Sequence, residues 1–323
     1  MKEIKVKNNN IRFFEYKNKK IWGAKGRSIF WVNSHSLYKK IKIDKLKLFS
    51  SFSLYNRLFR QGIHNVIYLE KELIAVIVKG KILIINIEDN IIFDEYNIKG
   101  NRPLRQGFAL YENKLIYGEY FGNNKREIVK IKSIDYRNSQ MNDLLEFDNI
   151  RHVHFIQKNK KNTEEIFVGT GDKDRESAIY KYNIQNKALV KIGGGSQKWR
   201  AVSILQKDNY IYWGSDCPYK QNYIYRYNRN NGNLTRLRPI GGPAYYSTQN
   251  KSGDLFIATT IEDRKKHRAI IYHAEEGENW NELKEFKKDI FPEKLFGYGI
   301  IEFIRGQDKL EDLYINLRGL KEI

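Results

Sequence analysis

Arginines recur at near-regular intervals in this chain. Arg60, Arg105, Arg151 and Arg200 are 45, 46 and 49 residues apart, and Tyr246 and Tyr298 continue the series at steps of 46 and 52. The polar stretches around them hold His64, His152, His154 and Gln197. Between them fall the carboxylates Glu119, Asp172, Asp174, Glu176, Asp216, Glu262 and Asp263. A guanidinium presents a planar fork of donors that fits a carboxylate, which a lysine ammonium cannot match. Several such forks at one place would clamp an acidic ligand. The same arginines could instead pair with neighbouring carboxylates and tie adjacent elements together. His152 and His154, two apart on a strand, point to one face and suit a general base or a divalent metal completed by Asp172 or Glu176. A hydrogen-bonded histidine pair is the simpler alternative. No resident cofactor or metal is expected.

Residues so far apart meet only if the fold keeps returning the chain to one place. Period-two apolar segments run from end to end and no long helix is legible. One strand type aligns on Ile29, Leu83, Ile128, Ile179, Ile224 and Ile270, with steps of 54, 45, 51, 45 and 46 residues. The strand before each ends in a second mark, at Gly23, Gly80, Gly118, Gly171, Gly214, Thr260 and, last, Asn316. Seven marks in 323 residues give a period of about 46, the length of a four-stranded propeller blade. The expected fold is therefore all-β: a β-propeller of seven four-stranded blades, with six or eight as alternatives. Residues 2–7 would supply the strand that closes the ring and removes its open edge. Nothing divides residues 1–323 into separate domains. Residues 44–62 form the longest irregular connection and are expected to lie across one face. In such a blade the connection into the first strand and the connection between the second and third strands share a face. That face collects the arginines, histidines, tyrosines and carboxylates named above.

The turns after the aligned strands carry a family resemblance. Residues 273–280, HAEEGENW, keep the glycine and tryptophan of an Asp-box (Ser-x-Asp-x-Gly-x-Thr-Trp) with Glu in place of Asp. Ser133 and Asp135 keep its opening, and residues 228–234 keep a turn glycine. The chain resembles a degenerate sialidase-like (BNR/Asp-box) propeller over most of its length. Its stretches IRHVHF, VGTGDKDRES, GSQKWRAV and YWGSD are similar to uncharacterised bacterial propellers of that type. The resemblance implies that the Asp-box turns are structural and lie opposite the active face. It implies Arg60, Arg105 and Arg200 as carboxylate clamps, Tyr246 with Glu262 as nucleophilic pair, and Asp172 as general acid. A second version, similar to propeller-type polysaccharide lyases, takes His152 or His154 as base and a tyrosine as acid. Around either, His64, Glu119, Arg151, Gln197 and Asp216 would line the ligand site. The function expected is a carbohydrate-active propeller that binds and cleaves an acidic glycan at the channel mouth, as a glycoside hydrolase or a uronate lyase. The alternative is a non-catalytic scaffold that binds glycan or protein.

Composition sets the outer bounds. With 17 Phe, 22 Tyr and 5 Trp the chain is not disordered. Its net charge of +20 comes from lysines scattered through nearly every turn, without a basic stripe, so nucleic acid is not an expected partner. The single cysteine, Cys217, permits no internal disulfide and fits a reducing compartment. No apolar run reaches membrane-spanning length, and the first residues, MKEIKVKNNN, lack the apolar core of a signal peptide. The expectation is a cytoplasmic monomer whose partner is an acidic saccharide. Gly193–Gly195 followed by Ser196 lacks the Lys of a phosphate loop, and the Asp172-x-Asp174-x-Glu176 spacing lacks the glycine of a calcium loop.

Overall fold

The computed structural model describes residues 6–8, 11–32, 37–44, 46, 52–262 and 268–323. Asp263, His35, His267 and residues 2–5 of the expected closing strand lie outside them. Six antiparallel sheets have the four-stranded blade form, each with its strands in chain order: blade 1 (residues 12–42), blade 2 (65–97), blade 3 (108–147), blade 4 (152–194), blade 5 (205–240) and blade 6 (244–288). This corrects the expectation of seven four-stranded blades. The remaining sheet has three strands, Val6–Asn8, Leu313–Arg318 and Ile300–Phe303, in that order. Val6–Asn8 pairs with Leu313–Arg318 in parallel. A last strand, Leu320–Glu322, adds a fifth member to the blade 6 sheet.

The six anchors mark the third strand of each blade. In blade 3 that strand begins at Val129, and Ile128 itself is exposed. Alternation explains why these segments are strands: Val129–Asp135 buries every second side chain as far as Ser133. Fully apolar runs such as Leu73–Val78 are buried on both faces, because a blade is covered on each side. Each hydrophobic cluster joins two consecutive sheets, for example Phe155 and Phe167 of blade 4 with Ile211 and Trp213 of blade 5. First strands of blades 1 and 2, of 3 and 4, and of 5 and 6 also contact one another, so they lie toward the centre.

The turns after the third strands repeat a device. Asn86, Asp135, Asn183 and Asn228, each the last residue of its strand, accept backbone N–H bonds on the side-chain oxygen from the turn that follows. Blade 6 does it differently. Gly277 turns at φ 80°, and buried Trp280 donates its indole N–H to the Gly277 carbonyl at 3.1 Å. Trp280 packs in one cluster with Tyr212 of blade 5, the structural part the resemblance gave it. The connection of residues 44–62 is not wholly irregular, since Ser53–Phe59 is a short helix.

Candidate functional site

Glu302 interrupts the apolar strand Ile300–Phe303 with a carboxylate only 1% exposed. Arg12, first residue of the first strand of blade 1, grips it from two nitrogens at 2.9 and 2.7 Å. Arg105 Nη1 reaches it at 2.9 Å and Arg318 Nη1 at 3.3 Å. Burial alone would raise this carboxyl, but the three guanidiniums hold it well below the usual range. Arg105 also donates to the Phe13 carbonyl at 2.7 Å, and burial brings its pKa down to about 10.

Arg102 stands beside this group without a carboxylate of its own among the described residues. Its Nη1 meets His64 Nδ1. Burial, then Arg318 and Arg12, lower Arg102 to about 9. His64 is pushed well below its ordinary value by burial and then by Arg102, Arg12 and Arg318, against a weaker pull from the Arg60 backbone. Arg12, His64, Arg102 and Arg318 form a shared wall. On one side lies a cavity of about 660 Å3, reaching Asn56, Arg57 and Asn316. On the other is a pocket of about 70 Å3 that holds Tyr245, Tyr246 and Glu302.

A second group sits where blades 4 and 5 meet. The register slips between Val153 and Phe155, leaving His154 as the extra residue of a bulge. A Cβ on Gly171 would fall 2.5 Å from His154 Cε1, so only glycine leaves room for the ring. His152 Nε2 and His154 Nε2 lie 3.2 Å apart, and each is within 3.3 Å of Asp172 Oδ1. His154 Nδ1 donates to the Ala201 carbonyl at 3.2 Å. Burial lowers His154 to about 4, so it is neutral at pH 7. Arg151 Nη1 donates to Asp172 Oδ2 at 2.8 Å, and Arg200 Nη2 stands 3.1 Å from Oδ1. Against the pull of burial, the hydrogen bond from His152 holds the Asp172 carboxyl far below its ordinary value, and Arg151 and Arg200 pair with it. Arg200 Nε also pairs with Asp216 at 3.0 Å, and burial raises the Asp216 carboxyl while Arg200 opposes it.

The fold thus brings the sequence-derived residues together in two groups. His152, His154, Asp172, Arg151, Arg200 and Asp216 meet at blades 4 and 5, where Gln197 Nε2 joins through the Asp172 carbonyl at 2.9 Å. His64, Arg105 and Tyr246 belong to the group around Glu302. Several expected roles need correction. Glu262 accepts a hydrogen bond from Tyr245, not Tyr246, because a bulge between Ala244 and Tyr246 and the alternation of strand side chains separate the two tyrosines. Asp172 is held ionised, the opposite of what a general acid needs. Arg60 caps the helix Ser53–Phe59 in a left-handed turn, exposed, and clamps nothing in either group. Glu119 accepts the Lys130 N–H on its side chain and the Val153 N–H on its carbonyl, which stitches blade 3 to blade 4. Glu176 faces Arg126 at 2.8 Å and not the histidines. Arg102 and Tyr245 fall in the blade-entrance stretches beside Arg105 and Tyr246, while Arg12, Arg318 and Glu302 lie outside the residues the spacing picks out. Of these, Glu302 left a signal, as the one acid in an otherwise apolar strand.

No family model matches the chain, and no curated protein matches it. Among solved structures it is similar to a chain of the mitotic checkpoint complex, at 10% identity and a TM-score of 0.54, over 85% of this chain and 77% of that one. It is also similar to the extracellular domain of a hybrid two-component system of B. thetaiotaomicron, at 14% identity and a TM-score of 0.55, over 90% of this chain and 34% of that one. A second such domain gives 12% identity and a TM-score of 0.50, with 86% and 35% covered. The chain spans about a third of the length of those two proteins. All three neighbours are β-propellers. The fold is a β-propeller. At these identities the likeness reaches the fold alone, and the sialidase-like family is not shown.

Proposed function

We propose that the cavity beside Arg12, His64, Arg102 and Arg318 binds a carboxylate-bearing ligand, an acidic saccharide by class. The observation that carries this is Arg102. A buried guanidinium on a cavity wall, repelled by Arg12 and Arg318 and paired with a neutral imidazole, draws counter-charge from Glu302, a carboxylate already bonded by Arg12, Arg105 and Arg318, which falls short of what burial demands. A ligand carboxylate would supply it. The cavity volume of about 660 Å3 accommodates a short saccharide. Asn56 and Gln61 add neutral polar side chains on its lining. Of the readings open from the sequence, binding is the one this geometry favours. Cleavage by Tyr246, Glu262 and Asp172 is not favoured, since the three side chains do not converge and the acid is ionised. For the architecture, we take the three-stranded sheet as a smaller closing unit between blade 6 and blade 1.

The test is calorimetric titration of wild type and Arg102→Leu with galacturonate oligomers, glucuronate, sialic acid and neutral sugars. Arg102→Leu should weaken the acidic ligand by about 10- to 100-fold, the scale for a hydrogen bond to a charged group. Its melting temperature should stay level or rise, because a buried, repelled charge has gone. No binding of any acidic sugar at millimolar concentration, or equal affinities for both proteins, would overturn the reading.

A further inference from the structure

We propose that His152, His154 and Asp172 bind one divalent first-row transition ion, of the zinc or manganese class, at the seam of blades 4 and 5. Their three facing atoms, two imidazole Nε2 and one carboxylate oxygen, form a triangle with sides of 3.2, 3.2 and 3.3 Å. Such a triangle has a point about 2.1 Å from all three corners, about 1 Å out of their plane, which is the bond length of imidazole and carboxylate ligands to these ions. The angles at that point are about 100°, between octahedral and tetrahedral values.

Lone pairs argue for a cation as strongly as distances do. A carbonyl can only accept, so the bond from His154 Nδ1 to the Ala201 carbonyl puts the proton on Nδ1 and leaves Nε2 bare. That bare nitrogen faces Asp172 Oδ1, also an acceptor, at 3.2 Å. A proton on His152 Nε2 can answer one of these lone pairs and leaves the two acceptors facing each other; one cation answers all three. The supporting contacts suit such a site. The Ala201 carbonyl fixes the His154 ring, Arg151 occupies Asp172 Oδ2, and Oδ1 faces the two imidazoles with Arg200 Nη2 at 3.1 Å on its flank. Arg200 is a nearby like charge, offset by its pair with Asp216, whose buried Oδ1 has no partner. Two imidazoles and one carboxylate select against calcium and magnesium, which prefer oxygen. The imidazoles are 5% and 2% exposed and the Asp172 side chain 18%, so solvent reaches the triad by way of the aspartate.

The site stands without the saccharide reading, and metal uptake is measured without any sugar. Full-length protein is stripped with a chelator, dialysed against zinc or manganese and assayed by elemental analysis, while cobalt uptake is followed by its visible spectrum. Wild type should hold about one ion per chain and give cobalt d–d bands. His154→Gln and Asp172→Asn should each lower affinity by about 100-fold. Gly171→Ala, which keeps all three ligands but crowds the His154 ring, should lower it by about 10-fold, as outer-shell changes do. If His154→Gln does not fold, the wild-type cobalt spectrum and Gly171→Ala decide. Stripped wild type that takes up no zinc, manganese or cobalt overturns the proposal. So does an ion retained equally by wild type, Asp172→Asn and Gly171→Ala, which marks an adventitious ion only.

Discussion

Four guanidiniums crowd the surroundings of Glu302, and three of them reach its carboxylate. The fourth, Arg102, leans on His64, which has a consequence for acid stability. His64 is held neutral by burial and by Arg102, Arg12 and Arg318, so its folded pKa lies well below the roughly 6.5 of an unfolded chain. Above pH 6.5 neither state carries the proton and stability is full. Below it the unfolded chain takes a proton that the folded chain refuses, so stability falls with pH until the folded pKa is reached. His154 contributes with the same sign, down to about 4. The carboxylates of Glu302 and Asp172 are shifted the same way, downward, and add to the loss only as pH falls through the unfolded carboxyl range near about 4. Between pH 6 and 4.5, chelator-treated protein should lose up to about 1.4 kcal/mol per pH unit for each such histidine. His64→Asn should reduce that slope in denaturant titrations; a slope identical to wild type would mean that His64 is not the group refusing the proton. The arginine spacing led to Arg105, Arg151 and Arg200 because blade entrances recur with the fold. Arg12 and Arg318 escaped it. Each ends a strand whose pattern is set by its apolar neighbours, and nothing in a strand pattern tells whether its last charged side chain turns toward the centre.

At the scale of elements, the strands were legible and the turns were half legible. Five of the six anchors fell within third strands, and Ile128 one residue ahead of the sixth, because alternation survives even where the residues drift. The asparagines looked like background composition, yet Asn86, Asn183 and Asn228 share one structural place with Asp135, capping the turn that an Asp-box would otherwise brace. Their spacing of 49, 48 and 45 residues carried the signal. Blade 6 relies instead on Gly277 and Trp280. A Cβ at Gly277 would lie 2.6 Å from the Tyr212 ring, and its φ of 80° is strained for any side chain. Gly277→Ala should therefore destabilise by about 1–3 kcal/mol and Trp280→Ala by about 3–5 kcal/mol. Both changes lie at the opposite end of the strands from Arg102, so saccharide affinity and metal content should not move. Urea unfolding at wild-type stability for Gly277→Ala would remove the claim that this turn braces blades 5 and 6.

At the scale of the whole molecule, the question is what joins the last sheet to the first blade. Beside the Arg12–Glu302 pair, four bonds to the backbone of blade 1 span that seam among the described residues. Asn316 accepts the Phe13 N–H and donates to the Phe13 carbonyl, both at 2.7 Å, so one side chain imitates a strand partner across 303 residues. Arg305 N–H donates to the Phe14 carbonyl and its own carbonyl accepts the Tyr16 N–H, both at 2.8 Å. Phe13, Ile21 and Ile304 form a small apolar cluster beside them. Val6–Asn8 then covers the outer edge of Leu313–Arg318. Asn316→Ala strips the buried Phe13 N–H of its partner and leaves the Phe13 carbonyl to Arg105, and an unmet group costs about 1–3 kcal/mol. The variant should lose about 1–3 kcal/mol, and deletion of residues 1–8 should lower the melting point further by baring a strand edge. If the sheets act as one ring, both proteins still unfold in a single transition, because opening the seam uncovers the inner faces of neighbours on either side. A melting curve that splits in two would instead mean that the three-stranded sheet is a separable appendage. An unchanged curve for both variants would mean that the seam contributes nothing, and the closing role assigned to that sheet would fall with it.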